Sequence, residues 1–194
     1  QLLCVGMWND QIILTMQTFI DDCQLITAPR YCDHRGMFSI LFDAQSYQTR
    51  FQFTLQQINE VYSSYGVIRG LHAQRSPWAQ AKIIQVLEGE IFDVAVDARK
   101  NSLQQGKVTQ IYLTSETNTQ FFIPKGFFHG YAVLSEKALV RYYVDKPYAP
   151  DHEVILQYSD HDLNIKWPIP NDQQILSQKD LQGCSWQDIV TRMI

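Results

Sequence analysis

Two short segments of the sequence carry histidines in a pattern that suits acid–base chemistry. In residues 66–74 (GVIRGLHAQ), His72 follows a glycine at a distance of six residues. In residues 123–130 (IPKGFFHG), His129 follows a Pro-x-Gly turn. A free imidazole titrates near neutral pH and can take a proton from carbon. Both histidines are therefore candidates for proton transfer, although either one could instead be a core histidine with a purely structural role.

Two cations lie close to the first histidine in the chain. Arg69 precedes His72 by three residues, and Lys82 falls on the next predicted strand. Along a regular strand Arg69 would alternate with His72 and lie on the other face. A base and two fixed cations in one barrel are what enolate formation on a charged substrate requires. Asp93, on the polar side of a later strand, either orients His129 or faces water.

These side chains need a scaffold, and the sequence predicts one made of strands. Short apolar stretches broken by turns are typical of an all-β sandwich or barrel. Residues 91–97 alternate clearly, with Phe92, Val94 and Val96 on one face. Further strands are predicted at residues 65–71, 81–87, 108–113, 119–123, 130–134 and 138–144.

Helix is expected mainly near the C-terminus. Ser185 and Asp188 can cap a short helix whose apolar side comprises Ile189, Val190, Met193 and Ile194. A second short helix around residues 44–47 is more weakly indicated.

The two histidine segments resemble the two signature motifs of the cupin superfamily, which implies a jelly-roll fold. A metal-binding cupin needs about four ligands, usually three histidines and one glutamate. Here Gln74 replaces the second histidine of the H-x-H pair, and no glutamate follows at the expected spacing. The sequence therefore predicts a cupin-type scaffold without metal, in which His72 acts as a base. A metal-dependent cupin enzyme is the alternative.

The bulk composition limits the range of functions. The chain has 194 residues and a net charge of −4 without a basic run, which predicts one domain and argues against nucleic-acid binding. Its apolar runs are much shorter than the roughly 20 residues of a membrane span. Residues 1–15 resemble no signal peptide and are expected to precede a single domain at residues 16–194. The cysteines form no C-x-x-C pair and predict free thiols in the cytoplasm; they are Cys4, Cys23, Cys32 and Cys184.

Six ordered features make the resemblance more specific. They are R-G-L-H-x-Q, a downstream Lys82, G-E-I-F-D-V-A-V-D, I-P-K-G-F-F-H-G, Y-A-P-D-H-E and L-S-Q-K-D. Their order and spacing resemble the dTDP-4-dehydrorhamnose 3,5-epimerase family from about Asp33 to Asp180. The resemblance implies a homodimeric isomerase of deoxysugar biosynthesis that needs no cofactor. Its substrate would be a nucleotide-linked 4-keto-6-deoxyhexose, inverted at the carbons beside the ketone.

The resemblance also implies three catalytic roles. His72 matches the general base, Asp180 the carboxylate that holds its imidazole, and Tyr142 the acid on the opposite face of the sugar. Asp180 could instead only form a capping box with Ser177. Tyr142 could be an ordinary core tyrosine, with Tyr143 and Tyr148 as rivals for the acid role.

Further residues fall on substrate-binding positions of the family. Tyr148 matches the residue that stacks on thymine, and Arg35 a diphosphate-binding arginine lent by the neighbouring subunit. An arginine suits that task because its guanidinium binds phosphate with two parallel hydrogen bonds. The remaining positions are occupied by Gln57, Asn59, Arg69, Lys82, His129, Glu153 and Lys179.

Several positions depart from the family pattern. Ala73 replaces a common aromatic residue, Phe128 a small residue and Ile58 a common aspartate. These departures leave open an epimerase that acts only at carbon 3 or carbon 5, or on another nucleotide sugar. A non-catalytic sugar-nucleotide binder is the remaining alternative; it would keep Arg35 and Tyr148 without needing the catalytic residues.

Overall fold

The computed structural model of the protein describes residues 15–20 and 22–192. Within these residues the regular secondary structure is mostly strand, with two short helices and three 3₁₀ turns. The helices are α1 (Ala44–Phe51) and α2 (Trp186–Arg192), and the 3₁₀ turns are Pro150–His152, Asn171–Gln173 and Asp180–Gln182. The strands are β1 (Thr15–Ile20), β2 (Cys23–Thr27), β3 (Tyr31–Asp33), β4 (Gly36–Phe38), β5 (Gln57–Ser64), β6 (Ile68–Gln74), β7 (Lys82–Glu88), β8 (Glu90–Asp97), β9 (Val108–Thr114), β10 (Thr119–Ile123), β11 (Phe127–Val133), β12 (Lys137–Val144) and β13 (Glu153–Ile155).

The described strands form two antiparallel sheets and a separate hairpin. One sheet has the order β1-β2-β10-β7-β12-β5, the other β13-β6-β11-β8-β9, and β3 pairs with β4. Neighbours in the sheets are mostly distant in the chain, as in a jelly roll. The predicted all-β, cupin-type jelly roll is confirmed, and the predicted strands match β6 to β12 within three residues at each end.

Three apolar layers hold the sheets in place. The layer between the sheets includes Ile91 and Ala95 of β8. Phe92 and Val94 point to the other side of β8, where the chain after β13 covers the sheet with residues such as Trp186. The predicted alternation of β8 is therefore confirmed, with both faces buried. The third layer lies under α1, outside the β7, β10 and β12 side of the larger sheet.

Both helices begin at side-chain caps. The Asp43 carboxylate accepts a hydrogen bond from the Ser46 amide at 2.8 Å before α1. Ser185 Oγ accepts from the Asp188 amide at 3.1 Å and donates to the Asp188 carboxylate at 2.7 Å. The predicted C-terminal helix is confirmed as α2, and Ile189 is buried against the core. Met193 and Ile194 lie outside the described residues.

The cysteine prediction is only partly right. Cys184 carries a free thiol, but Cys32 is disulfide-bonded rather than free. Cysteine spacing reports on metal-binding motifs and does not report which thiols meet in the folded chain, so this pairing had no sequence signal. Cys4 and most of the predicted N-terminal extension lie outside the described residues. No helix in the described part of the chain is long and apolar enough to cross a membrane.

Candidate active site

A cavity of about 400 Å³ opens between the two sheets. It is lined by β5, β6, β7, β12 and β13 and by the segment around residues 177–180. Most of the predicted site residues meet there. The predicted residues that line it are Asn59, Arg69, His72, Lys82, Tyr142, Tyr148, Glu153, Lys179 and Asp180.

His72 of β6 is paired with Asp180 in the wall of this cavity. The His72 Nε2 atom lies 2.5 Å from Asp180 Oδ1, and Asp180 is buried. Burial raises the pKa of Asp180, but the hydrogen bonds from His72 and Ser177 outweigh it and hold that pKa below its usual value. The carboxylate therefore accepts the Nε2 proton, which leaves Nδ1 as the nitrogen that can act as a base.

Asp180 also fulfils the capping alternative. Ser177 Oγ donates to Asp180 Oδ2 at 2.8 Å and accepts from the Asp180 amide at 3.1 Å. The local cap fixes the carboxylate on the 3₁₀ turn, and its other oxygen remains for His72. The capping role and the pairing with the imidazole are thus compatible.

A β-bulge brings Arg69 to the same cavity as His72. In the pairing of β6 with β11, His72 lies opposite His129 and Arg69 lies opposite Tyr131, so that three steps on β6 match two on β11. The extra residue reverses the alternation of side chains, and Arg69 does not lie on the opposite face as regular alternation would have it. Its guanidinium donates to Ser63 Oγ at 3.0 Å and lines the cavity.

Glycine makes this bulge possible. Gly70 has a φ of +104°, and a Cβ atom there would lie 2.6 Å from the carbonyl oxygen of His129. On the facing strand, a Cβ at Gly130 would lie 2.5 Å from the carbonyl oxygen of Arg69. The two backbones can approach only because both positions lack a side chain.

His129 lies behind the cavity rather than in its lining. Its Nε2 atom is 3.0 Å from both carboxylate oxygens of Asp93, and both residues are buried. Burial lowers the pKa of His129 and raises that of Asp93, while their mutual attraction opposes both shifts. Asp93 thus orients His129 and does not face water. The His129 ring makes an edge contact with Tyr142 at 5.8 Å between centroids.

The tyrosines on β12 and after it are distinguished by position. Tyr142 lines the cavity, and burial raises its pKa well above the usual value, so that it remains protonated. Tyr143 points to the other side of the sheet, where its hydroxyl donates to Gln85 Oε1 at 3.0 Å. Tyr148 lies at the cavity mouth and is half exposed. Of the rival acids, Tyr142 is the one that is partly buried and also lines the cavity.

Lys82 of β7 provides a buried cation beside the histidine. Its side chain is 8% exposed, and Nζ donates to the carbonyl oxygen of His72 at 3.1 Å. Burial lowers the pKa of Lys82 to about 8, although Glu153 and Asp93 act in the opposite direction. A buried ammonium of this kind is suited to stabilise a developing oxyanion.

Polar residues at the mouth of the cavity surround Tyr148. Its hydroxyl donates to Glu153 Oε2 at 3.1 Å and accepts from Lys179 Nζ at 3.3 Å, and Lys179 forms an ion pair with Glu153. The amide of Tyr148 donates to Gln57 Oε1 at 3.3 Å, and Gln57 in turn donates to Asn59 Oδ1 at 2.6 Å. Gln57 therefore joins the site through Tyr148 without lining the cavity.

Gln74 has a role that the sequence did not suggest. Its amide nitrogen donates to the carbonyl oxygens of Trp78 at 2.8 Å and Pro147 at 3.2 Å, and its oxygen accepts from the Ala149 amide at 2.8 Å. It thus anchors the segment that carries Tyr148. Among the described residues, no three His, Cys, Asp or Glu side chains are grouped as metal ligands would be.

Arg35 lies away from the cavity of its own chain. It occupies the turn of the β3–β4 hairpin, where its side chain is 79% exposed. Its guanidinium binds the Asp33 carboxylate through Nε at 3.0 Å and a terminal nitrogen at 2.6 Å. The predicted diphosphate contact is therefore not formed within one subunit.

Two of the departures from the family pattern are explained by their contact with each other. Because His129 pairs with His72, the residues next to them, Phe128 and Ala73, are brought together on the outer side of the sheet. Both belong to the same apolar layer and line one small cavity there. The large side chain of Phe128 thus lies next to the small side chain of Ala73. Ile58 is exposed on the edge strand β5 and alternates away from the cavity face that carries Asn59.

Comparison with known proteins agrees with this arrangement. A family model for dTDP-4-dehydrorhamnose 3,5-epimerase matches residues 17–188. The epimerase of this name from Methanothermobacter thermautotrophicus is 40% identical over 167 residues, which cover 85% of this chain and 90% of that protein.

Solved structures give the same result. The dTDP-4-dehydrorhamnose 3,5-epimerase of Elizabethkingia anophelis matches with a TM-score of 0.85 and 38% identity over 90% of this chain and 97% of that one. The Legionella pneumophila dTDP-6-deoxy-D-glucose-3,5-epimerase, solved with dTDP-4-keto-L-rhamnose, has a TM-score of 0.79 and 41% identity over 86% of this chain and 89% of that one. The chain therefore belongs to the dTDP-4-dehydrorhamnose 3,5-epimerase family.

Proposed function

We propose that this protein epimerises a dTDP-linked 4-keto-6-deoxyhexose at carbons 3 and 5. The observation that carries the proposal is the convergence of a base, an acid and a cation on one cavity. His72, held by Asp180, is the base; Tyr142 is the acid; and Lys82 is the cation. A non-catalytic binder would not need these groups together.

The reaction follows from these positions. His72 removes the proton from a carbon beside the ketone, and the electrons of the C–H bond move towards the ketone oxygen. Lys82 stabilises the resulting enolate oxygen, with His129 and its Asp93 partner behind the site. Tyr142 then gives a proton to the opposite face of the same carbon, which inverts it. These reaction steps are all proton transfers carried out by residues of the chain.

The nucleotide is proposed to bind at the mouth of the cavity. Tyr148 offers a half-exposed ring for the thymine, Glu153 and Lys179 supply polar groups beside it, and Asn59 and Arg69 supply further polar groups in the cavity lining. Since Arg35 is exposed on its hairpin and contacts no cavity residue of its own chain, we assign it to the diphosphate in the site of a partner subunit. The protein is thus proposed to act as a homodimer.

Deuterium exchange tests the proposed reaction directly. The protein is incubated with dTDP-4-keto-6-deoxyglucose in deuterated water, and deuterium entry at carbons 3 and 5 is followed by NMR. We expect exchange and inversion at both carbons. Exchange at one carbon would replace the double epimerase by a single-site enzyme, and a complete absence of exchange would contradict the function for this sugar.

Mixed dimers test the assignment of Arg35. Arg35→Ala and His72→Ala proteins should each have little activity, but a hybrid dimer keeps one intact site if Arg35 acts across the interface. An equal mixture, unfolded and refolded together, should then regain about a quarter of wild-type activity, because half of the dimers are hybrids with one good site. Activity no greater than the sum of the separate proteins would contradict the shared site.

The cellular setting follows as a prediction. The proposed product belongs to deoxysugar biosynthesis, which supplies precursors of rhamnose-containing polysaccharides. A cytoplasmic location stays a prediction. The free thiol of Cys184 supports it and the disulfide of Cys32 argues against it. Cell fractionation would test the predicted cytoplasmic location.

A further inference from the structure

Tyr131 carries a buried hydroxyl that the proposed reaction does not yet use. The residue lies on β11 and is fully buried. Its hydroxyl makes no hydrogen bond of ordinary geometry with any residue that the structure describes. Because an unpaired buried hydroxyl destabilises the folded chain, Tyr131 is a candidate for a functional role.

The surroundings of Tyr131 belong to the proposed active site. Its ring lies 6.4 Å from that of Tyr142 and 6.4 Å from that of His129. Across the sheet it pairs with Arg69 on β6 and with Asp93 on β8. The residue therefore lies beside the proposed acid.

The two tyrosine hydroxyls influence each other. Burial raises the pKa of Tyr131, while Arg69 and the nearby hydroxyls of Tyr142 and Ser63 lower it. Burial also raises the pKa of Tyr142, and the proximity of Tyr131 raises it further. Both hydroxyls are therefore protonated in the resting enzyme. A Tyr142 phenolate, formed in such a buried place, requires a hydrogen-bond donor.

We propose that the Tyr131 hydroxyl donates a hydrogen bond to the phenolate that forms when Tyr142 protonates the enolate. This inference rests on the proposed epimerase function. In the step, the O–H bond of Tyr142 breaks, a C–H bond forms on the sugar, and the negative charge passes from the enolate to the Tyr142 oxygen. Tyr131 keeps its own proton and acts as a positioning residue. Water returns a proton to Tyr142, and His72 releases the one that it took.

The experiment compares two fates of the same enolate in deuterated water. Deuterium returned by His72 leaves the configuration unchanged, whereas deuterium delivered by Tyr142 inverts it. Tyr131→Phe keeps the buried ring and removes only the hydroxyl. We expect the ratio of inversion to exchange with retention to fall about tenfold, because a hydrogen bond to a charged oxygen is lost. Tyr143→Phe, which removes a buried hydroxyl on the other face of β12, is the matched control and should leave the ratio unchanged.

The ratio separates a specific effect from general damage. A folding defect lowers both fates together, so an unchanged ratio in Tyr131→Phe would overturn the inference whatever the total activity. Tyr142→Phe is run beside it. If that variant still inverts the sugar at the wild-type ratio, the acid in the proposed function is wrong. If it loses inversion while Tyr131→Phe does not, only the role of Tyr131 is wrong.

Discussion

Replacing His72 with alanine is expected to lower the rate of deuterium exchange at both sugar carbons by about 10³–10⁴-fold. The base is the first participant in every turnover, and among the residues that line the cavity His72 is the one imidazole. His129 cannot replace it, since both of its near contacts through Nε2 are to the buried Asp93 carboxylate. Exchange measured by NMR in deuterated water isolates this step from later ones.

The partner of the base should show a comparable effect for a different reason. Asp180→Asn keeps the shape of the side chain but removes the charge that holds the Nε2 proton and stabilises the imidazolium. A loss of about 10²–10⁴-fold is expected, with little change in substrate affinity. The matched control for His72→Ala is His161→Ala, which removes a fully exposed imidazole. Near-normal exchange in His72→Ala would remove His72 from the mechanism.

The scaffold and the His72–Asp180 pair of the site were predictable because their sequence signals are local. Alternation in residues 91–97 reports the two buried faces of β8 directly, and turn residues separate the strands around it. The positions of His72 and Asp180 followed from two of the six ordered motifs, and that of Tyr142 from the family resemblance. Their convergence on one cavity needed no long-range information beyond that resemblance.

Other features had no such local signal. The bulge at Gly70 reverses the side chains of β6, so simple alternation misplaces Arg69 relative to His72. Strand β5 was missed because the polar Asn59 lies on its cavity face whereas its apolar Ile58 and Tyr62 are exposed, the opposite of an ordinary strand. Tyr131 was overlooked because the sequence does not show that its hydroxyl is buried without a hydrogen bond of ordinary geometry to another described residue.

Lys82 is expected to set the alkaline limit of the reaction. Its pKa of about 8 means that the ammonium loses its proton just above neutral pH, whereas the raised pKa of Tyr142 keeps that acid protonated there. In the wild type, kcat/KM should therefore fall as pH rises through about 8, since this parameter reports the free enzyme. Lys82→Met should lose about 10²–10³-fold at pH 7 and show no such fall. Lys82→Arg should move the fall to higher pH.

The same lysine should make the folded protein less stable at neutral pH than a variant without it. In the unfolded chain the pKa returns to 10.5, so below pH 8 the folded state holds a buried charge at a cost of about 3 kcal/mol. Between pH 8 and 10.5 the folded protein releases this proton before the unfolded chain does, and its stability rises with pH. Lys82→Met should therefore be more stable than the wild type at pH 7, with the difference vanishing near pH 10.5.

Urea denaturation at pH 7 and pH 9.5 measures this difference, with the exposed Lys166→Met as a control that should change stability by less than about 0.5 kcal/mol. A Lys82→Met protein that is less stable at pH 7 would mean that attraction to Glu153 and Asp93 outweighs the burial of the ammonium. The expected result, a more stable but nearly inactive variant, would instead identify Lys82 as a charge that is retained for the oxyanion at the expense of stability. The buried surroundings that make the Lys82 charge unfavourable for folding would then also strengthen its attraction to the enolate oxygen.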